Sequence, residues 1–319
     1  MCRQFLEQLS FSALRSLSLC GTGIGPKGCA ALADAVERLL DLEALSVSDN
    51  PICRQIGPGV TTRSGPALKS PPRRERLGRN AGSNDDHDGP TDQTGWERIC
   101  DVVRASRLHT FDCANVGMSS IGCERLSASF SPVLTALDIS RNNCDLSAGS
   151  ALLPVIVGST LRSLTLGRGW RMPVHDAKVD LLDLPDTLDE FEISAVAACV
   201  STVSAISKLT VYATGTEADG GDVNSRKYTL DNAARSIELQ DKHCGDADIT
   251  LLTSWVKRPS VTASITKINL LGNPLGASGV AAIIALFDEI PSISTLYAHP
   301  FCNHSLVQNN TPLQLNGRV

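Results

Sequence analysis

Apolar residues recur along this chain in one arrangement: a leucine-like residue, then others three and five positions later, a polar position at eight and a further apolar one at ten. Leu14, Leu17, Leu19, Thr22 and Ile24 follow it, as do Leu42, Leu45, Val47, Asn50 and Ile52, and Leu134, Leu137, Ile139, Asn142 and Cys144. A fourth good copy is Ile265, Ile268, Leu270, Asn273 and Leu275. With these fixed, weaker copies begin at Leu108, Leu161, Leu188, Ile206, Ala234 and Ile293, so that about ten units are expected. Within each copy the alternating apolar residues predict a short strand with one face turned inward.

The second half of the unit repeats as well. Gly25, Gly28 and Leu32 return as Gly276, Gly279 and Ile283, and in part as Gly122 and Leu126. The segment GPKGCAALADAVERLL carries apolar residues at helical spacing, which predicts a helix opened by a glycine turn. A strand that alternates with a helix at a nearly constant interval places strands beside strands and helices beside helices.

This pattern resembles the leucine-rich repeat proteins of the ribonuclease-inhibitor-like subfamily. The resemblance implies an α/β fold, a horseshoe-shaped leucine-rich repeat solenoid with parallel strands on the concave face and helices on the convex face. Strands about 4.8 Å apart and helices about 10 Å apart would impose that curvature. Asn50, Asn142 and Asn273 stand where the family uses an amide to satisfy turn backbone groups, and Thr22, Val116, Gly169, Lys242 and Phe301 depart from it. The chain reads as a single domain over residues 1–319, with the helix of a preceding unit or a cap near its start.

Three stretches interrupt the period. The interval from Leu42 to Leu108 is more than twice the usual one, and the excess contains a proline-, glycine- and charge-rich run read as a disordered insertion at 54–93, with a helix resuming near Trp96. The interval from Leu188 to Ile206 is well below the usual one and too short for a full helix. A loop or stub is expected there, and the 195–235 region should be the least helical. Residues 304–319 are polar and read as an irregular tail.

Composition narrows the classes of function. A net charge of −5 gives no general attraction to phosphate backbones or anionic lipid, so nucleic acid and membrane are not expected partners. Eleven cysteines, most at apolar repeat positions and none in a CxxC pair, suit buried reduced thiols in an intracellular, cytoplasmic protein.

Chemistry-bearing motifs are few. Gly23-Ile24-Gly25-Pro26-Lys27-Gly28 with Asp49 mimics a dinucleotide-binding fingerprint, yet LGNPLGASG repeats the same turn at 271–279. His299, Cys302 and His304 lack a fourth donor for a closed metal site, and His175-Asp176 and His243-Cys244 are isolated pairs. No catalytic residue, cofactor or metal is expected.

The surface to examine is the outward column of the strands: Ser18, Ser46, Asp112, Asp138, Thr165, Glu192, Thr210, Glu238, Asn269 and Tyr297. With Glu190, Lys208, Tyr212 and Lys267 it makes an acidic centre and a mixed, partly aromatic end. The expected function is a non-enzymatic scaffold for protein–protein interaction that holds a protein or peptide with a basic patch. A GTPase-activating or other regulatory role is the alternative that the resemblance leaves open, and a dinucleotide-binding enzyme is a more remote one. In the insertion, Ser70-Pro71 beside Lys69, Arg73, Arg74, Arg76 and Arg79 is a candidate phosphosite.

Overall fold

The computed structural model describes residues 14–53, 93–142, 144–175, 178–215, 223–298 and 313–316. Strands and helices alternate, and ten strands of the repeat type are present among these residues. They are β1 (Ser16–Ser18), β2 (Ala44–Ser46), β3 (Thr110–Asp112), β4 (Ala136–Asp138), β5 (Ser163–Leu166), β7 (Leu181–Asp183), β8 (Lys208–Tyr212), β10 (Ser236–Glu238), β11 (Lys267–Asn269) and β12 (Thr295–Ala298). Nine begin two positions after a copy read from the sequence. The tenth, β7, matches none of those copies, and the copy assigned at Leu188 is not a strand.

Parallel pairing keeps equivalent positions of the unit in register. Leu17, Leu45, Phe111, Leu137 and Leu164 align across β1–β5 and point into the core. Their neighbours Ser18, Ser46, Asp112, Asp138 and Thr165 align on the opposite face. Between strands run α1 (Pro26–Val36), α2 (Thr94–Ala105), α3 (Ser120–Ser127), α4 (Leu146–Gly158), α5 (Glu190–Val200), α6 (Asp246–Val256), a single turn α7 (Pro259–Thr262), and α8 (Ala277–Glu289). Each of the longer helices packs on the next along the chain, and one continuous apolar core lies between helices and strands.

The asparagines stitch neighbouring units together. Asn50 donates its amide to the carbonyls of Leu19 (2.7 Å) and Val47 (2.9 Å) and accepts from the Ile24 backbone N–H (2.9 Å). Asn142 does the same for Cys113, Ile139 and Met118, and Asn273 for Leu239, Leu270 and Cys244. An amide carries a donor and an acceptor, so one side chain satisfies groups in two turns at once. Each such group left unpaired would cost on the order of 1–3 kcal/mol.

The strands, expected to run parallel along one face, are divided into three hydrogen-bonded sheets, of order β1-β2-β3-β4-β5-β6, β7-β8-β9 and β10-β11-β12-β13. In each, the last strand is antiparallel. β6 (Trp170–Pro173) folds back on β5, β9 (Lys227–Asp231) on β8, and β13 (Leu313–Asn316) on β12. A returning hairpin strand takes the edge that the next parallel strand would have used. Residues 313–316 are thus a strand in place of the expected irregular tail, while residues 304–312 lie outside the described region.

Both internal hairpins stand in place of a helix. No α-helix separates β5 from β7 or β8 from β10, apart from a 3-10 turn at Val223–Arg226 within the described residues. Consequently α4, α5 and α6 pack directly on one another. This corrects the expected loop between Leu188 and Ile206: the segment holds α5, an 11-residue helix whose residues Phe191–Val200 are all buried. Beyond its acidic first turn the helix is largely apolar on every side because it is covered on every side. The stretch without α-helix begins only after it, through residues 201–235 where described. Arg258, buried at the start of α7, closes the turns between α5 and β8 by donating to the carbonyls of Val203 (3.2 Å), Ser204 (3.0 Å) and Ile206 (2.7 Å), with Trp255 stacked beneath it.

The insertion at positions 54–92, with Ser70, and positions 1–13 lie outside the described region. Gln93 already caps α2, which begins at Thr94.

Close approach of α4 and α5 requires glycine at 149, where a Cβ would meet Ser194 at 2.5 Å and the Phe191 carbonyl oxygen at 2.9 Å. Gly149→Val should destabilise the protein by about 1–3 kcal/mol in urea or thermal unfolding. Gly158→Ala, at the end of the same helix with open space around it, should be neutral or slightly stabilising. Equal effects of the two would refute this packing.

Candidate functional site

The outward column separates into groups with different electrostatic character. On the six-stranded sheet, Asp112 and Asp138 are register partners on adjacent strands, about 4.8 Å apart at the backbone. Asp112 accepts from the Ser46 hydroxyl (2.7 Å) and the Ala114 N–H (3.1 Å), and Asp138 from the Ser140 hydroxyl (2.7 Å) and N–H (3.0 Å). No lysine or arginine among the described residues forms an ion pair with either. Burial raises the Asp138 carboxyl above the ordinary aspartate range; the Ser140 hydrogen bonds oppose this, the neighbouring Asp112 charge adds to it, and the charge of Arg141, itself paired with Asp49, opposes it least.

These two carboxylates sit in a shallow depression of about 400 Å³ floored by small side chains of β1–β5, including Ser16, Ala44, Ala136 and Ser163. Arg171 of β6 lines the same depression, opposite Thr165 in the β5–β6 ladder. It is absent from the column read off the sequence. The signal for it existed: Gly167-Arg168-Gly169 between LTL and WRM is a short glycine-containing hairpin connection, and both glycines have positive φ.

The other expected residues divide as follows. Glu238 (β10) accepts from Lys267 Nζ (2.7 Å), the Ser236 hydroxyl (2.6 Å) and Asn269 (2.9 Å). Chiefly through Lys267, its carboxyl is held below the ordinary glutamate range. Lys267 also stands 5.5 Å over the Tyr297 ring, so Glu238, Lys267 and Tyr297 form one chain of contacts on β10–β12. Lys208 pairs with Asp231 (3.2 Å), and Tyr212, on the same strand β8, stacks with Lys227 at 5.5 Å. Glu238 and Lys208 on these two sheets thus each have a partner of opposite charge.

Glu190 and Glu192 do not belong to the column. Both lie in the first turn of α5, Glu190 exposed and Glu192 buried. Glu192 forms a reciprocal cap with Asp189 and accepts from the Gly167 N–H, tying the β5–β6 turn to α5. The sequence DTLDEFE satisfies a helix start better than a strand, because Asp at the cap and Glu three positions later supply the two acceptors a helix N-terminus needs. The strand position belongs to Asp183, paired with Thr210 on β8.

The dinucleotide-like glycines occupy an ordinary repeat turn. Gly25 precedes Pro26 at the start of α1 as Gly276 precedes α8, and Asp49 is engaged by Asn115 (2.7 Å) and Arg141 (3.3 Å). His175 contacts the Ile156 carbonyl (3.0 Å), whereas Asp176, His299, Cys302 and His304 lie outside the described residues. Within the described residues there is no cluster of three or more His, Cys, Asp or Glu placed to hold a metal ion, and no helix long and apolar enough to cross a membrane. All nine described cysteines are free, seven of them buried.

No family profile and no curated protein matches the chain. Among solved structures, the leucine-rich repeat-containing protein LegL7 from Legionella pneumophila is similar at 13% identity and a TM-score of 0.35, over 92% of this chain and 68% of that one.

Two titrations follow. The folded protein holds the Asp138 proton more tightly than the unfolded chain does. Ionisation of Asp138 therefore lowers stability, an effect absent below the unfolded pKa and complete above the raised folded one. Asp138→Asn should raise the unfolding midpoint at pH 7 and leave it unchanged near pH 3; a lower midpoint at pH 7 would contradict the assigned environment. Glu238 has the opposite sign, its stabilisation being present above the unfolded pKa and lost as pH falls through the lowered folded value. In Lys267→Met, the Glu238 carboxyl should titrate at higher pH by NMR; an unmoved titration would assign the shift elsewhere.

Proposed function

We propose that this chain is a non-enzymatic protein-interaction scaffold, a solenoid of the ribonuclease-inhibitor-like kind, that holds a protein or peptide partner on the strand face of β1–β6. The observation that carries this reading is the Asp112–Asp138 pair. Two like charges stand side by side on a half-buried surface without an ion-paired cation, and burial disfavours the charged form of one of them. Elsewhere on the strand faces, Glu238 and Lys208 have partners of opposite charge. A guanidinium or ammonium group from a partner would supply the missing charge and relieve the repulsion.

Small side chains flooring the depression leave backbone-scale access to the carboxylates. The partner is therefore a segment with an exposed lysine or arginine, and its affinity falls as salt rises. The free cysteines suit a reducing, intracellular, cytoplasmic setting.

Affinity capture from the native cell at low and high salt, with Asp112→Asn/Asp138→Asn beside wild type, tests the reading. Salt-sensitive partners should be lost from the double variant and retained by Glu238→Gln, whose charge is already neutralised. Identical captures from all three proteins would overturn the assignment of this face.

A further inference from the structure

We infer that the β1–β6 face is bipolar and selects a partner segment carrying a basic and an acidic side chain on the same side of an extended chain. This rests on the preceding reading of Asp112 and Asp138 and adds the role of Arg171.

Three observations meet here. Register aligns Asp112, Asp138, Thr165 and Arg171 across β3, β4, β5 and β6, and residues so paired project from the same face. The Arg171 side chain is exposed and makes no hydrogen bond or ion pair with a described residue. The arginine and both carboxylates line one depression, with only Thr165 between them in the column.

At about 4.8 Å per strand, Arg171 stands about 10 Å from Asp138 and about 14 Å from Asp112 at the backbone. It makes no ion pair with either carboxylate. One face thus presents an unmatched pair of negative charges and an unmatched positive charge at a fixed separation. Its complement has a cation and an anion the same distance apart. Extended chain rises about 3.3 Å per residue and repeats its side-chain direction every second residue, so positions i and i+4 lie about 13 Å apart on one side. A lysine or arginine at i and a glutamate or aspartate at i+4, in either chain direction, fits both ends of the column. Polybasic segments would place a cation against Arg171 and lose affinity there. An acid at i+2 would fall short of it, and one at i+6 would overshoot.

The test uses acetylated, amidated glycine–serine peptides, so that no terminal charge contributes. One series carries a single Lys, a second a Lys with Glu at i+2, i+4 or i+6, and a third two Lys at i and i+4. Binding to the full chain is followed by NMR line shifts or calorimetry. The Lys–Glu i+4 peptide should bind at least severalfold more tightly than the single-Lys peptide and more tightly than the i+2 and i+6 peptides. Arg171→Gln should abolish that advantage while leaving single-Lys binding unchanged, and its thermal midpoint should match wild type. Equal affinity of the single-Lys and i+4 peptides, or a preference that survives in Arg171→Gln, overturns the bipolar assignment and leaves the scaffold reading standing. If single-Lys peptides bind no better than uncharged ones, or bind Asp112→Asn/Asp138→Asn equally well, the scaffold reading falls and the bipolar assignment with it.

Discussion

A β-strand has two edges, and each must find hydrogen-bond partners where water is excluded. In this chain that requirement decides how far the parallel ladder extends. From β1 to β5 every strand offers its free edge to the next at the same register, so apolar residues align on one side and small or acidic residues on the other. Where a hairpin returns instead, as β6 does on β5, its backbone satisfies that edge and the ladder stops. The same device ends the sheets at β9 and β13. At β5 and β8 the returning strand lies nearer along the chain than the next repeat strand and so has the smaller closure cost.

Helix packing bridges the breaks that the hairpins introduce. With no helix behind β5 or β8, α4, α5 and α6 close up, and α5 becomes buried on all sides. Gly149 permits that approach. Buried carboxylates then take over where the repeat asparagine is missing. Glu192 receives the Gly167 N–H, and Asp248, at the start of α6, receives the Thr214 and Gly245 N–H groups together with the Tyr228 hydroxyl. A carboxylate only accepts, so it satisfies turn donors but cannot satisfy the carbonyls that Asn50, Asn142 and Asn273 serve. Burial raises the pKa of both Glu192 and Asp248, with their hydrogen bonds opposing it. The hairpin-bearing units are thus joined by a chemistry different from that of the regular ones.

The charges follow the same division. On the later sheets Lys267 supplies the opposite charge for Glu238 and Asp231 for Lys208, while the exposed Asp183 forms no ion pair with a described residue. On the first sheet the returning hairpin brings Arg171 to the far side of Thr165, where it lines the same depression as the acidic pair without forming an ion pair with it. Surface ion pairs contribute little to stability. Their distribution matters here because it leaves one face with unmatched charge of both signs.

The regular spacing of apolar residues by itself located nine of the ten repeat strands, and the resemblance it carries implied the role of Asn50, Asn142 and Asn273. Each of these depends on contacts that every unit makes in the same way with its neighbour, so periodicity encodes them. The outward placement of Asp112 and Asp138 on their strands was legible for the same reason. Only tertiary structure decided which segment captures each sheet edge. It therefore decided that Glu190 and Glu192 start a helix, that Asp183 takes the strand position, and that Arg171 stands in the acidic column. Those outcomes turn on competition between a hairpin and the next repeat for one set of backbone groups. Side-chain spacing records neither the distance each competitor must travel nor the edge it finds open.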